Sequence, residues 1–196
     1  MTTNNPIKYP LVSFLVIGQL PEHQELKQQV LTAIDQSKSD SLIAMDSYYT
    51  DTINKLDWNQ AKNFSKPWAQ ILKPKIDDYL NTLAVNLGYQ SAIVEEFWFQ
   101  QYVNGNTHGW HTHGSNFTGV YYLEFDADSP KTEIIEPIDQ TRKITPEVKE
   151  GDIMIFPSYT IHRAPLITNN VRKTIVSFNF ILDLINPRLL DYINSL

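Results

Sequence analysis

The sequence contains no cysteine. That absence excludes disulfides, cysteine-based zinc sites, iron–sulfur clusters and thiol nucleophiles, and leaves His, Asp and Glu as the side chains able to hold a metal. Long apolar runs are missing as well. The longest, Leu11 to Ile17, is interrupted by Ser13 and falls far short of the roughly 20 residues of a membrane-spanning helix. No small-x-small cleavage pattern follows it before Pro21 and Glu22, so it reads as a buried strand in a cytoplasmic protein rather than as a leader. Basic residues are outnumbered, 16 against 22 acidic, for a net charge of -6. Proteins that work by neutralising phosphates need a basic face, so neither nucleic acid nor a membrane is expected as a partner. A phosphate-cradling glycine loop is lacking too, because Gly105, Gly109 and Gly114 have neither the spacing nor the strand-before, helix-after setting.

What is present, 196 residues of which 42% are apolar, is enough for one compact domain. From Glu22 to Ser37 the apolar positions Leu26, Val30, Ala33 and Ile34 recur at helical spacing behind Pro21. A second helix is predicted from about Lys73 to Leu87, with Pro74 in its first turn and Gly88 as its stop. Beyond Gly88 the texture changes to short β-branched and aromatic runs. Val94–Val103, Phe117–Phe125, Asp152–Phe156 and Thr174–Leu182 read as strands, with weaker candidates at Thr132–Glu136 and Gln140–Ile144. Such strands, without interleaved helices, predict a mainly β, α+β protein: an antiparallel sandwich or barrel with the N-terminal helices packed on its sheet. We divide the chain into a helical support region (1–90), a β core (91–183) and a terminal amphipathic helix (184–196).

Only five histidines occur, and three of them fall between His108 and His113. In an extended chain residues two apart point to one face, so His111 and His113 can converge on one ion. His162 follows 49 residues later, after the run Gly151-Asp152 to Phe156-Pro157, and antiparallel pairing can bring it to the same place. Neutral imidazole suits iron, zinc, copper and nickel rather than magnesium or calcium. After nine intervening residues His162 is followed by Arg172, beside Val171, Ile175 and Val176. A guanidinium pointing inward there needs an anion, and Arg grips carboxylates with two hydrogen bonds.

The pattern Gln101-Tyr102…Gly105…His111-Thr-His113…Tyr121-Tyr122-Leu123…Gly151-Asp152…Phe156-Pro157…His162…Arg172-Lys-Thr174…Asn179 resembles the Fe(II)- and 2-oxoglutarate-dependent dioxygenases. It is most similar to a group of small oxygenases of bacteria and phages, and more distantly to prolyl hydroxylases. The resemblance covers about Phe97 to Leu182. It implies a double-stranded β-helix, the cupin-like jelly roll, with Fe(II), 2-oxoglutarate and O2 as cofactors. It also implies an activity: hydroxylation of a substrate C–H with release of succinate and CO2. His111, His113 and His162 would hold the metal, and Arg172 the distal carboxylate of 2-oxoglutarate. Thr174, Tyr102 and Asn179 would take further cosubstrate contacts.

One departure stands out. The family's acidic ligand is replaced by His113, which raises the charge of the empty site by one unit relative to the two-His, one-carboxylate triad. Two other ligand sets stay open: a carboxylate from Glu124 or Asp126, or His108 in place of one imidazole. Two other functions also stay open, a three-His cupin-like metalloenzyme independent of 2-oxoglutarate and a non-catalytic β-sandwich binding module. Trp110, beside the HxH pair, is a candidate substrate contact, and the substrate itself, small molecule or peptidyl, is not legible.

Overall fold

The computed structural model describes residues 13–40 and 51–196. Its strands are β1 (Val16–Gln19), β2 (Lys55–Leu56), β3 (Tyr89–Tyr102), β4 (His108–His111), β5 (Phe117–Glu124), β6 (Glu133–Ile135), β7 (Lys143–Ile144), β8 (Asp152–Pro157), β9 (His162–Ala164) and β10 (Lys173–Ile185). The helices are α1 (His23–Gln36), α2 (Pro67–Asn86) and α3 (Pro187–Asn194). Every strand pairing is antiparallel. A six-stranded sheet runs in the order β1-β8-β5-β10-β3-β2, and a four-stranded sheet in the order β4-β9-β6-β7. This is the mainly β architecture with flanking helices that the strand texture predicts.

Period-two alternation sorts the large sheet into two faces. One face of β3 carries Phe97 and Phe99, which join Val30 and Ile34 of α1 and Trp68, Leu72 and Ile76 of α2 in the larger apolar core. The other face carries Trp98, Gln100 and Tyr102. Tyr102 there joins Tyr122, Met154, Phe156 and Ile175 with Ile134 and Ala164 of the small sheet in a second core. The helices thus stiffen the outside of the large sheet, and the site lies between the sheets.

Some boundaries differ from the sequence reading. α2 starts at Pro67 and passes through Pro74, so Pro74 lies inside the helix and not in its first turn. The flanking buried residues Trp68, Ala69, Leu72 and Ile76 hold the turn together where proline removes one backbone bond. Gly88 ends the helix as expected, at φ 86, a conformation that favours glycine. The segment expected as a buried strand from Leu11 forms β1 with an alternating half-exposed pattern, because among the described residues it is an edge strand paired only with β8. Leu11 and Val12 lie outside the described residues.

Candidate metal centre

β4 and β9 are neighbours in the small sheet, with His111 opposite His162, and the chain turns after β4 so that the His113 N–H donates to Ser158 O (2.9 Å). One ligand nitrogen from each of His111, His113 and His162 lies within 4.8 Å of the others. His113 Nε2 and His162 Nε2 are 3.3 Å apart. Two imidazole nitrogens on one ion, at about 2.1 Å each and at octahedral to tetrahedral angles, stand roughly 3.0–3.4 Å apart.

Backbone carbonyls fix two of the rings. His111 Nδ1 donates to Gly109 O at 2.8 Å and His162 Nδ1 to Thr160 O at 2.9 Å. Their Nε2 atoms therefore carry the lone pairs that a metal takes. Burial lowers the pKa of all three, that of His113 to about 3, and the neighbouring imidazoles push His113 and His162 further down. Burial thus favours the neutral imidazole at all three positions, the form in which histidine binds a metal.

The other candidate ligands have partners elsewhere. Glu124 accepts from Arg172 Nε (2.9 Å) and Thr174 Oγ1 (2.8 Å) on the outer side of the sheet. Asp126 is exposed, and its Oδ1 caps the Asp128 N–H in the loop after β5. His108 is a fourth imidazole, stacked on His111 with centroids 3.8 Å apart. Its Nδ1 accepts from Gln100 Nε2 (3.2 Å), and Nε2 faces Asp51 Oδ2 at 3.6 Å, so neither nitrogen points a lone pair into the site.

The residues expected to bind the cosubstrate divide by strand parity. Arg172 is 41% exposed and lies outside the barrel, paired with Glu124 and with Asp35 of α1. Thr174 is opposite Gln101, whose amide also reaches Asp35 (3.0 Å), so it too faces outward. Asn179 faces inward, but its amide is taken by Glu96 (2.7 Å) and its carbonyl by Thr118 (3.0 Å). It stands midway along β10, about 20 Å from Lys173 at 3.3 Å per residue. Tyr102 does face the interior, 1% exposed, and its buried hydroxyl has no partner among the described residues.

The residue missed from sequence is Lys173. It is opposite Tyr102 in the ladder, 1% exposed, and its ammonium lies near the Tyr102 and Phe125 rings. It donates to Pro130 O at 2.9 Å, and no carboxylate pairs with it among the described residues. Burial lowers its pKa to about 7. The signal was available: a lysine in a run of β-branched residues, one position from the arginine and so on the opposite face. Trp110 lies under the Arg163 guanidinium at 4.6 Å.

Between the sheets the described residues thus gather three imidazoles, a buried lysine with no carboxylate partner among them and a buried tyrosine hydroxyl with no partner among them. Residues 96–179 match the family described as "Putative 2OG-Fe(II) oxygenase". The chain resembles the 2OG-Fe(II) oxygenases. The family match and the three-His group together indicate Fe(II), 2-oxoglutarate and O2 as cofactors and support a dioxygenase. Solved structures share the fold. An oxidoreductase of the 2OG-Fe(II) oxygenase family from Burkholderia pseudomallei superposes with a TM-score of 0.64 at 11% identity, over 88% of each chain. A prolyl-4-hydroxylase from Pseudomonas putida gives 0.60 at 12% identity, over 86% of this chain and 92% of its own. SnoN, an α-ketoglutarate-dependent epimerase from nogalamycin biosynthesis, gives 0.63 at 12%, over 86% and 78%. No curated protein sequence matches the chain. Among the described residues no helix is long and apolar enough to cross a membrane.

Proposed function

We propose that this chain is a single-domain Fe(II)- and 2-oxoglutarate-dependent hydroxylase in which His111, His113 and His162 hold the iron and Lys173, in place of Arg172, holds the far carboxylate of the cosubstrate. The observation that carries it is a three-imidazole cluster on the small sheet together with a buried lysine on the inner face of the large sheet that no carboxylate pairs among the described residues. Fe(II) with 2-oxoglutarate supplies the oxidising chemistry, coupling reduction of O2 to release of CO2 and succinate and to oxygen insertion at a substrate C–H.

The protein's share is position and exclusion of water. Trp98 packs its ring 5.7 Å from that of His113, and Tyr102 lies four residues further along β3. That places them about 13 Å apart, a span that a five-carbon diacid and the lysine stem divide between them. Tyr102 Oη, unpaired in the same interior, donates to the carboxylate beside Lys173. Two-point attachment of this kind fixes one orientation of the cosubstrate, and Phe156, Met154, Ile175 and Tyr122 keep water from its middle. The substrate side is the Trp98 end, where Glu96, Asn179, Thr118 and Ser158 form a hydrogen-bonded rim. The fold hosts both prolyl hydroxylases and an epimerase, so peptidyl and small-molecule substrates both fit the reading.

The test is succinate formation from 2-oxoglutarate with Fe(II), ascorbate and O2. Wild type is expected to turn over slowly even without substrate, and His162→Ala to lose that turnover. Equal succinate formation by both proteins rejects the assignment, and metal-dependent activity without any need for 2-oxoglutarate favours the three-His metalloenzyme instead.

A further inference from the structure

The proposed centre has three neutral ligands where a two-His, one-carboxylate site has an anion, yet a carboxylate stands one imidazole away. Asp51 is 27% exposed, and its Oδ2 lies 3.6 Å from His108 Nε2. Its Oδ1 accepts the Gly109 N–H at 2.8 Å, and Gly109 in turn offers the carbonyl that orients His111. The His108 ring stacks on that of His111 at 3.8 Å.

The donors run in one direction. Ser177 Oγ donates to Gln100 Oε1 (3.1 Å), which aims the Gln100 amide at His108 Nδ1. His108 is thereby left with its proton on Nε2, facing the carboxylate. Asp51 itself is held by independent contacts. The next residue, Thr52, exchanges backbone and side-chain bonds with Thr107 (3.0 and 3.1 Å) and donates to Gly105 O (3.0 Å), fastening the segment to the β3–β4 turn.

We propose that Asp51 is a positioning residue which, through His108 and Gly109, provides from outside the ligand set the negative charge the three-histidine centre lacks, strengthening metal binding. The proposal rests on the reading of His111, His113 and His162 as metal ligands. Outer partners of this kind govern metal affinity by about 10- to 100-fold.

The test is Co(II) titration of the apoprotein, by chelator competition and by d–d absorption, in wild type, Asp51→Asn and Asp51→Glu. Asparagine keeps the oxygen that receives the Gly109 N–H and removes the charge. Its Co(II) affinity is expected to fall about tenfold or more with the d–d bands unmoved, while glutamate retains most of the affinity. Asparagine binding as tightly as wild type overturns the proposal, since the carboxylate would then serve structure alone. Bands that shift in Asp51→Asn also overturn it, because Asp51 would then ligate the ion itself. Wild type that binds no Co(II) rejects the metal centre, a different failure from either.

Discussion

Lys173→Met separates the two roles of a buried cation because it should move stability and binding in opposite directions. An amine lowered from 10.5 to about 7 by burial opposes folding by about 4 kcal/mol at neutral pH. Methionine fills similar volume without the charge and forfeits only the bond to Pro130 O, worth about 1 kcal/mol, so the cosubstrate-free protein should gain a few kcal/mol. Between pH 7 and 10.5 the unfolded chain holds a proton that the folded chain has released, so wild-type stability should rise with pH through that window, and the variant should lack the rise. Binding goes the other way. The carboxylate of 2-oxoglutarate needs the ammonium form, and at pH 8 a lysine of this pKa is about 90% neutral. Binding to the anaerobic Fe(II) protein should therefore take up about 0.9 proton at pH 8 and about 0.1 at pH 6, measured by calorimetry in buffers of different ionisation enthalpy. Kd should rise about tenfold per pH unit above 8, and Lys173→Met should weaken it by about 3 kcal/mol, on the order of 100-fold. Proton uptake near zero at pH 8, or a variant that binds 2-oxoglutarate as wild type does, refutes the reasoning.

Arg172→Ala, by contrast, removes a partly exposed ion pair to Glu124 and Asp35. It should cost at most about 1 kcal/mol and leave the 2-oxoglutarate Kd within about threefold; a 100-fold loss would return the cosubstrate to the arginine. Acid should destabilise the apoprotein. The histidines of the cluster take up protons near 6.5 when unfolded but at lower pH when folded, about 3 for His113. Stability is therefore lost as pH falls below 6.5, by up to about 1.4 kcal/mol per unit for each histidine; a melting temperature unchanged between pH 6.5 and 5 contradicts the burial. Gly119→Ala would set a Cβ 2.1 Å from the Phe178 ring in the helix-side core and should cost about 1–3 kcal/mol or more in urea unfolding. A change under 0.5 kcal/mol would show that the ring moves freely.

The helices and the long strands were legible because their signals are periodic and local. Leu26, Val30 and Ile34 mark the face that α1 buries, and the aromatic, β-branched runs around Phe97 and Phe178 announce the sheet. What was not legible depends on partners distant in the chain. β1 reads as buried until its position at the sheet edge is known. The two-residue strand β2 has no pattern of its own and exists because β3 offers it a ladder. Pro74 marks a helix start by its own chemistry, and the packing of Trp68, Leu72 and Ile76 overrides it.

The site shows the same division between type and direction. That three imidazoles would gather was readable from His111, His113 and His162, because pairing β4 with β9 needs only the usual antiparallel return. Which cation faces them was not, since Arg172 and Lys173 are adjacent and parity alone decides between them. In the run Val171 to Val176 each parity mixes polar and apolar side chains, Arg172 and Thr174 with Val176 on one and Lys173 with Val171 and Ile175 on the other, so it carries no alternation from which to read an inside. The deciding features lie elsewhere. Glu124 and Asp35 stand on the outer face as partners for a guanidinium, and Tyr102, across the ladder from Lys173, belongs to the inner core. A cation takes the face where it is paired unless something else demands it inside. A lysine buried with no carboxylate partner among the described residues, where the arginine next door is satisfied at the surface, is a cost that folding alone does not explain; under the proposed function a dianionic cosubstrate, drawn into a chain of net charge -6, offsets it.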